Sequence, residues 1–152
     1  YEHDGRDFNE VNLATAIHRF SKNNNDGASD HRSDPRLGAL LEQAAWSVAH
    51  DRWDSRALAN VCWAVAKLKV RTPTLFAAIA TEVEKQVRLF NPQELANTAW
   101  AFATAGISSP TLFDAIAAEA PAKMRRFNPQ DLANTAWAFA TAGKSSLALC
   151  EA

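Results

Sequence analysis

The chain has 152 residues, a formal net charge of −1, 47% hydrophobic and 22% charged side chains. That composition fits one folded domain or a short array of repeats and excludes a disordered polyelectrolyte. Only 5 Gly and 6 Pro stand against many Ala, Leu, Glu and Lys, which favours helix over strand, and no apolar run approaches the roughly 20 residues of a membrane-spanning helix.

The near-neutral total hides an uneven distribution. Residues 1–51 carry 5 Lys/Arg against 9 Asp/Glu, while residues 52–145 carry 11 against 7. An acidic leading segment precedes a mildly basic body, which is less basic than a strong nucleic-acid binder. Cys62 and Cys150 stand far apart with no paired-cysteine spacing, so neither a disulfide framework nor a zinc site is expected; a reducing compartment suits them. The chain opens at Tyr1 with no recognisable leader peptide, and it reads as a piece of a longer protein.

In chain order, the first unit spans residues 1–53. Its Phe8, Asn9, Leu13, Ala14 and Phe20 match Phe90, Asn91, Leu95, Ala96 and Phe102 further on, with His18 where a tryptophan later falls. Within it, residues 23–34 form an insertion rich in Asn, Asp, Ser and Gly, the composition of a surface loop. The second unit, 54–90, follows Trp53 and carries Leu58, Ala59, Asn60, Trp63, Ala64 and Ala66 in matching register. The third, 91–127, and the truncated fourth, 128–152, are nearly identical at their starts. Of the 17 positions from Phe90 to Gly106, only Glu94 differs from its counterpart 37 residues later, Asp131. Thr72 to Phe76 likewise lies over Ser109 to Phe113. A fixed period of this size marks stacked supersecondary units in one continuous array.

Each unit punctuates itself as two helices. Asn91 is a natural N-cap, Pro92 suits the first turn, and Glu94 adds a carboxylate at the positive helix end. Gly106 suits the left-handed residue that ends the first helix. Ser109-Pro110 then begins a second helix running toward Arg125. Pro121 falls inside this helix and is expected to kink or split it. Around the first helix, Leu95, Ala96, Ala99, Phe102 and Ala103 form an apolar arc, with Glu94, Asn97, Ala101 and Thr104 opposite and Trp100 at the border. In the second helix, Leu75, Phe76, Ile79, Val83 and Val87 form the stripe that faces the first. One hairpin cannot bury such faces alone, so the expected fold is all-α: a right-handed α-solenoid of stacked helical hairpins with a period of about 37 residues.

The motif Leu-Ala-Asn-Thr-Ala-Trp-Ala-Phe-Ala, at 95–103 and again at 132–140, resembles octotricopeptide-type helical repeats. It is also similar to the repeats of FAST-kinase-like and RAP-domain proteins. The resemblance covers most of 54–147 and, more faintly, 8–50. It implies an RNA-binding segment of a factor for transcript stability, processing or translation in a mitochondrion or chloroplast, with single-stranded RNA along a concave face. The period is one residue shorter than the family name implies. No RAP domain is present in the sequence, which removes the usual reason to suspect a nuclease.

One residue of each kind recurs per unit, and each has two readings. Asn60, Asn97 and Asn134 either bond a ligand in a groove or bond the neighbouring unit. Trp63, Trp100 and Trp137 either stack on bases or pack between units, and core packing is the simpler account. Arg56, Gln93 and Gln130 share an early position, and Lys67, Thr104 and Thr141 a later one; both sets vary between copies and are candidate partner-facing positions. Lys85, Arg88, Lys123, Arg125 and Arg126 gather at second-helix ends, where complementing the helix dipole is a sufficient account and phosphate binding is the alternative. His3, His18, His31 and His50 lack metal-ligand spacing, and Asp26, Asp30 and Asp34 lack the closing glutamate of a calcium loop. No metal, cofactor or small-molecule substrate is therefore expected. Nor is catalysis: no phosphate loop, nucleophile elbow or paired carboxylates occur. The alternative to RNA is an armadillo-like scaffold that binds an extended peptide through the same asparagine and tryptophan rungs.

Overall fold

The computed structural model describes residues 10–23, 35–70 and 72–143. Seven α-helices lie within them: α1 (Glu10–Asn23), α2 (Pro35–His50), α3 (Ser55–Leu68), α4 (Pro73–Gln86), α5 (Pro92–Ala105), α6 (Pro110–Lys123) and α7 (Pro129–Thr141). Short 3-10 turns, Val87–Leu89 and Met124–Arg126, continue α4 and α6. No strand occurs among the described residues, and no helix there is long and apolar enough to cross a membrane. Asn23, expected to open the insertion, ends α1 instead. The rest of the insertion, with Asp26, Asp30, His31 and Asp34, lies outside the described residues, as do His3, Phe8, Asn9 and Cys150.

The helices pack in two rows. α1, α3, α5 and α7 touch in succession, α2, α4 and α6 do likewise, and hairpin partners α1–α2, α3–α4 and α5–α6 join the rows. Small residues make the first row close-packed. Ala59, Ala64 and Ala66 of α3, and Ala96, Ala99 and Ala101 of α5, are buried. The row is locked to the second by aromatic pairs: Phe76 of α4 meets Phe102 of α5 edge-on at 4.9 Å between centroids, and Phe113 of α6 meets Phe139 of α7 at 5.1 Å. Such a pair adds about 0.5–1.5 kcal/mol beyond the area its rings bury.

Local signals set the helix ends. Asn91 accepts the backbone N–H of Glu94 at 2.8 Å while the Glu94 carboxylate accepts the N–H of Asn91 at 2.9 Å, which is a reciprocal capping box. Asn128 and Asp131 repeat it, and Asp54 caps α3 through the N–H of Ala57 at 2.7 Å. At the other ends, Lys69, Gly106 and Gly143 hold the same register and all have positive φ, of 57°, 68° and 73°.

The structure adds contacts between segments that join second-helix ends to first-helix starts. Gln86 donates to the carbonyl of Trp53 at 2.7 Å, and its counterpart Lys123 donates to the carbonyls of Phe90 at 2.5 Å and Arg88 at 2.8 Å. Trp53 itself is fully buried, and its indole N–H donates to Ser47 Oγ, which donates on to Asp51. Ser55 of α3 donates to Glu94 of α5 at 3.0 Å.

Two sequence expectations are corrected. Ala101 does not lie on an open face; it is fully buried, because α5 is enclosed by α3, α6 and α7 and so has little surface left over. Pro121 does not split α6, which runs unbroken to Lys123 and matches α4 in length. The proline falls in the last turn, where removing its donor costs one helical hydrogen bond and leaves no following turn to misalign.

A Cβ at Gly106 would meet nothing within 4 Å, so the cost of Gly106→Ala is conformational and should be about 1 kcal/mol. Lys69→Gly removes a left-handed non-glycine residue and should leave stability unchanged or raise it by up to about 1 kcal/mol. Urea unfolding followed by circular dichroism measures both. A Gly106→Ala chain as stable as its parent would show that this helix end does not need the left-handed residue.

Candidate functional site

Residues spaced by four, three and four positions share one helix face. The sequence candidates follow that spacing: Arg56, Asn60, Trp63 and Lys67 on α3; Gln93, Asn97, Trp100 and Thr104 on α5; Gln130, Asn134, Trp137 and Thr141 on α7. Because these helices touch in succession, the three sets run side by side on the first row. α1 extends the strip by residues that the sequence reading did not single out as sites. Thr15, His18 and Lys22 hold the registers of Asn60, Trp63 and Lys67, and the signal was available in His18, which stands 45 residues before Trp63.

The aromatic rungs form a nearly continuous file. The His18 ring stacks on Trp63 at 6.1 Å between centroids, and Trp63 meets Trp100 at 6.3 Å with a 38° tilt. Lys67 places its ammonium 4.6 Å from the Trp63 ring centre, a cation–π contact worth about 0.5–1 kcal/mol at an exposed site. Trp63 and Trp100 are half-buried against the core, whereas Trp137 is 47% exposed. Core packing, the simpler reading from sequence, therefore accounts for one side of Trp63 and Trp100. Trp137 stands on α7, the last described helix of the row, whose described first-row neighbour is α5.

The amide rungs stand three residues before the rings. Asn60 is exposed, and Asn97 and Asn134 are half-buried. No hydrogen bond joins any of the three side chains to another described residue. The structural reading of these rungs, amides that bond the neighbouring unit, therefore has no contact to support it. Helix-to-helix polar contacts are made instead by Ser55 with Glu94 and by Thr111 with Glu84 at 2.6 Å. Arg56, Gln93 and Gln130 are exposed at the helix starts; Thr104 and Thr141 are exposed and Lys67 half-buried at the other end. Between α1 and α3 the strip deepens into a groove of about 430 Å³ lined by Thr15, His18, Asp54, Arg56 and Asn60.

Behind the strip lies Cys62, fully buried, whose thiol donates to the carbonyl of Ala59 at 3.3 Å. Burial pushes its pKa up to about 12, so the thiolate needed for nucleophilic chemistry is not formed near neutral pH. No group of three or more His, Cys, Asp or Glu side chains among the described residues is placed to hold a metal ion.

With this geometry in view, the chain is similar to a family described as a protein of unknown function (DUF1601) over two segments, residues 72–98 and 109–135. One segment starts 37 residues after the other. Each begins at the N-cap of a second-row helix and ends inside the next first-row helix, so it includes Asn97 or Asn134 and stops before Trp100 or Trp137. A comparison with curated proteins gives no match.

In a Cys150→Ser chain, a thiol reagent near neutral pH should label nothing while the protein is folded and one site per chain in urea. Rapid labelling of the folded protein would show that Cys62 is neither enclosed nor protonated.

Proposed function

We propose that this chain is a stretch of right-handed α-solenoid with a period of about 37 residues, that it binds single-stranded RNA along a concave face made by α1, α3, α5 and α7, and that it serves an organelle factor of RNA metabolism in a mitochondrion or chloroplast. The observation that carries the reading is the strip: on each of three adjacent helices, an amide that bonds no other described residue and a partly exposed ring. Bases offer flat faces to the rings and hydrogen-bonding edges to the amides, and one stacked base contributes about 1–3 kcal/mol. The near-identity of α5 and α7 along the strip means that these two helices present the same groups. They therefore favour one base identity or read shape, and do not spell out a varied sequence.

A second reading is a scaffold for an extended peptide. It is favoured by the charge of the strip, since α5 and α7 present only Gln93, Asn97, Trp100, Thr104 and Gln130, Asn134, Trp137, Thr141, all neutral. Amide rungs would then hold the peptide backbone and the rings its side chains. The two partners respond differently to salt, because phosphate neutralisation releases counterions and makes RNA affinity fall steeply as ionic strength rises.

Binding of a labelled single-stranded RNA pool at about 50 mM salt should be detectable and should weaken strongly by about 200 mM. Asn97→Ala with Asn134→Ala should weaken it at least several-fold with little change in melting temperature. A drop of several degrees would show that these amides hold the fold together, and the absence of binding at the lower salt would count against RNA.

A further inference from the structure

The strip leaves four arginines unused. Arg52 lies two residues before the cap of α3, Arg88 and Arg125 occupy the same position of the two 3-10 turns, and Arg126 holds the register of Arg52. All four are exposed, and none forms an ion pair with a described carboxylate. The other cations of the cluster are committed. Lys85 pairs with Glu82 at 3.2 Å, and Lys123 pairs with Glu119 at 3.1 Å while donating to two carbonyls. Helix-dipole complementarity applies to Arg88, Arg125 and Arg126 as it does to the lysines, but it engages no donor of the guanidinium groups, which stay available to a further partner.

These arginines occupy one edge of the molecule. Lys123 reaches the carbonyl of Arg88, which brings the end of α6 against the turn after α4. Arg52 and Leu89 line one groove of about 380 Å³ with Trp53, Asp54, Ser55 and Gln86. Asp54 also lines the groove that holds His18, Arg56 and Asn60, so edge and strip meet at the start of α3. The nearby carboxylates are engaged internally: Asp51 by Ser47, Asp54 by the N–H of Ala57, Glu94 by Asn91 and Ser55, Asp131 by the N–H of Asn128. Asp51 and Asp54 keep exposed negative charge there, and the four guanidinium groups outnumber them.

We infer that this edge carries the sugar–phosphate backbone of the nucleic acid whose bases meet the strip, an inference that rests on the RNA reading above. A guanidinium fork matches a phosphate bidentately, and phosphate contacts fix register without reading sequence. The division also explains why the strip on α5 and α7 has no charge of its own: the cations stand beside it. Arginines rather than lysines suit an edge that must hold a planar oxygen pair.

The test is a salt titration of labelled single-stranded RNA pool binding to the parent chain, to Arg88→Gln/Arg125→Gln/Arg126→Gln, to Asn97→Ala/Asn134→Ala, and to Lys85→Gln. Removing three guanidinium groups that each neutralise one phosphate of a single strand should flatten the slope of log affinity against log salt by about 2. It should also weaken binding at least ten-fold at about 50 mM salt. The asparagine variant should bind more weakly with the parent's slope, and Lys85→Gln should match the parent in both. If the arginine variant keeps the parent's affinity and slope, the edge is not the backbone track, although the strip remains. If the parent binds no RNA at all, both the edge and the RNA reading fall.

Discussion

The edge-to-face contact between a second-row phenylalanine and the next first-row helix sets the geometry of everything outside it. Phe76 against Phe102 and Phe113 against Phe139 are the same contact made twice, at 4.9 and 5.1 Å and close to perpendicular. Each pair fixes how one hairpin sits on the following helix, and burial of a phenylalanine side chain stabilises by about 1.5–3 kcal/mol. Because the contact recurs with unchanged geometry, α5 and α7 take equivalent positions relative to α4 and α6. Side chains at equivalent registers then fall into line without any further specification.

That alignment explains the division of labour among polar groups. Capping boxes at Asn91 and Asn128 satisfy the starts of α5 and α7 internally, and Gln86 and Lys123 satisfy carbonyls at the turns between helices. Alanines fill much of the contact between first-row helices, large apolar side chains such as Leu58, Leu95 and Phe102 turn into the core, and exposed or partly exposed polar and aromatic side chains are left at the margin. The margin is where Asn60, Asn97 and Asn134 stand with no hydrogen-bond partner among the described residues and where the rings of Trp63 and Trp100 are half-buried. These amides and partly open rings, side by side, are what the proposed binding reading rests on. A buried network would have used them up.

Much of this was legible in the sequence, and the exceptions have physical causes. Asn91, Pro92 and Gly106 announce helix ends because their effect is local, and the structure uses each as its chemistry suggests. Ala101 was misplaced because a helical wheel assumes one buried side, whereas α5 has neighbours on three. Pro121 was misjudged because its consequence depends on how many turns follow it. The tether from the second helix was invisible because Gln86 and Lys123 differ in type and charge, and only their shared target, the carbonyl of Trp53 or Phe90, reveals them as counterparts. The strip on α1 was half legible: His18 stood in register, but the intervening insertion disguised Thr15 and Lys22.

Two tryptophans provide the sharpest measure of the central claim, that ligand bases meet the first-row strip. Trp137 on α7 and Trp46 on α2 are equally accessible, at 47% and 46% exposed, but belong to opposite rows. Photo-cross-linking with a 5-bromouridine-substituted single-stranded RNA pool, followed by peptide mapping, separates them. The account predicts adducts at Trp63, Trp100 and Trp137 and none at Trp46; adducts concentrated on Trp46, with the first-row rings unmodified, would contradict it.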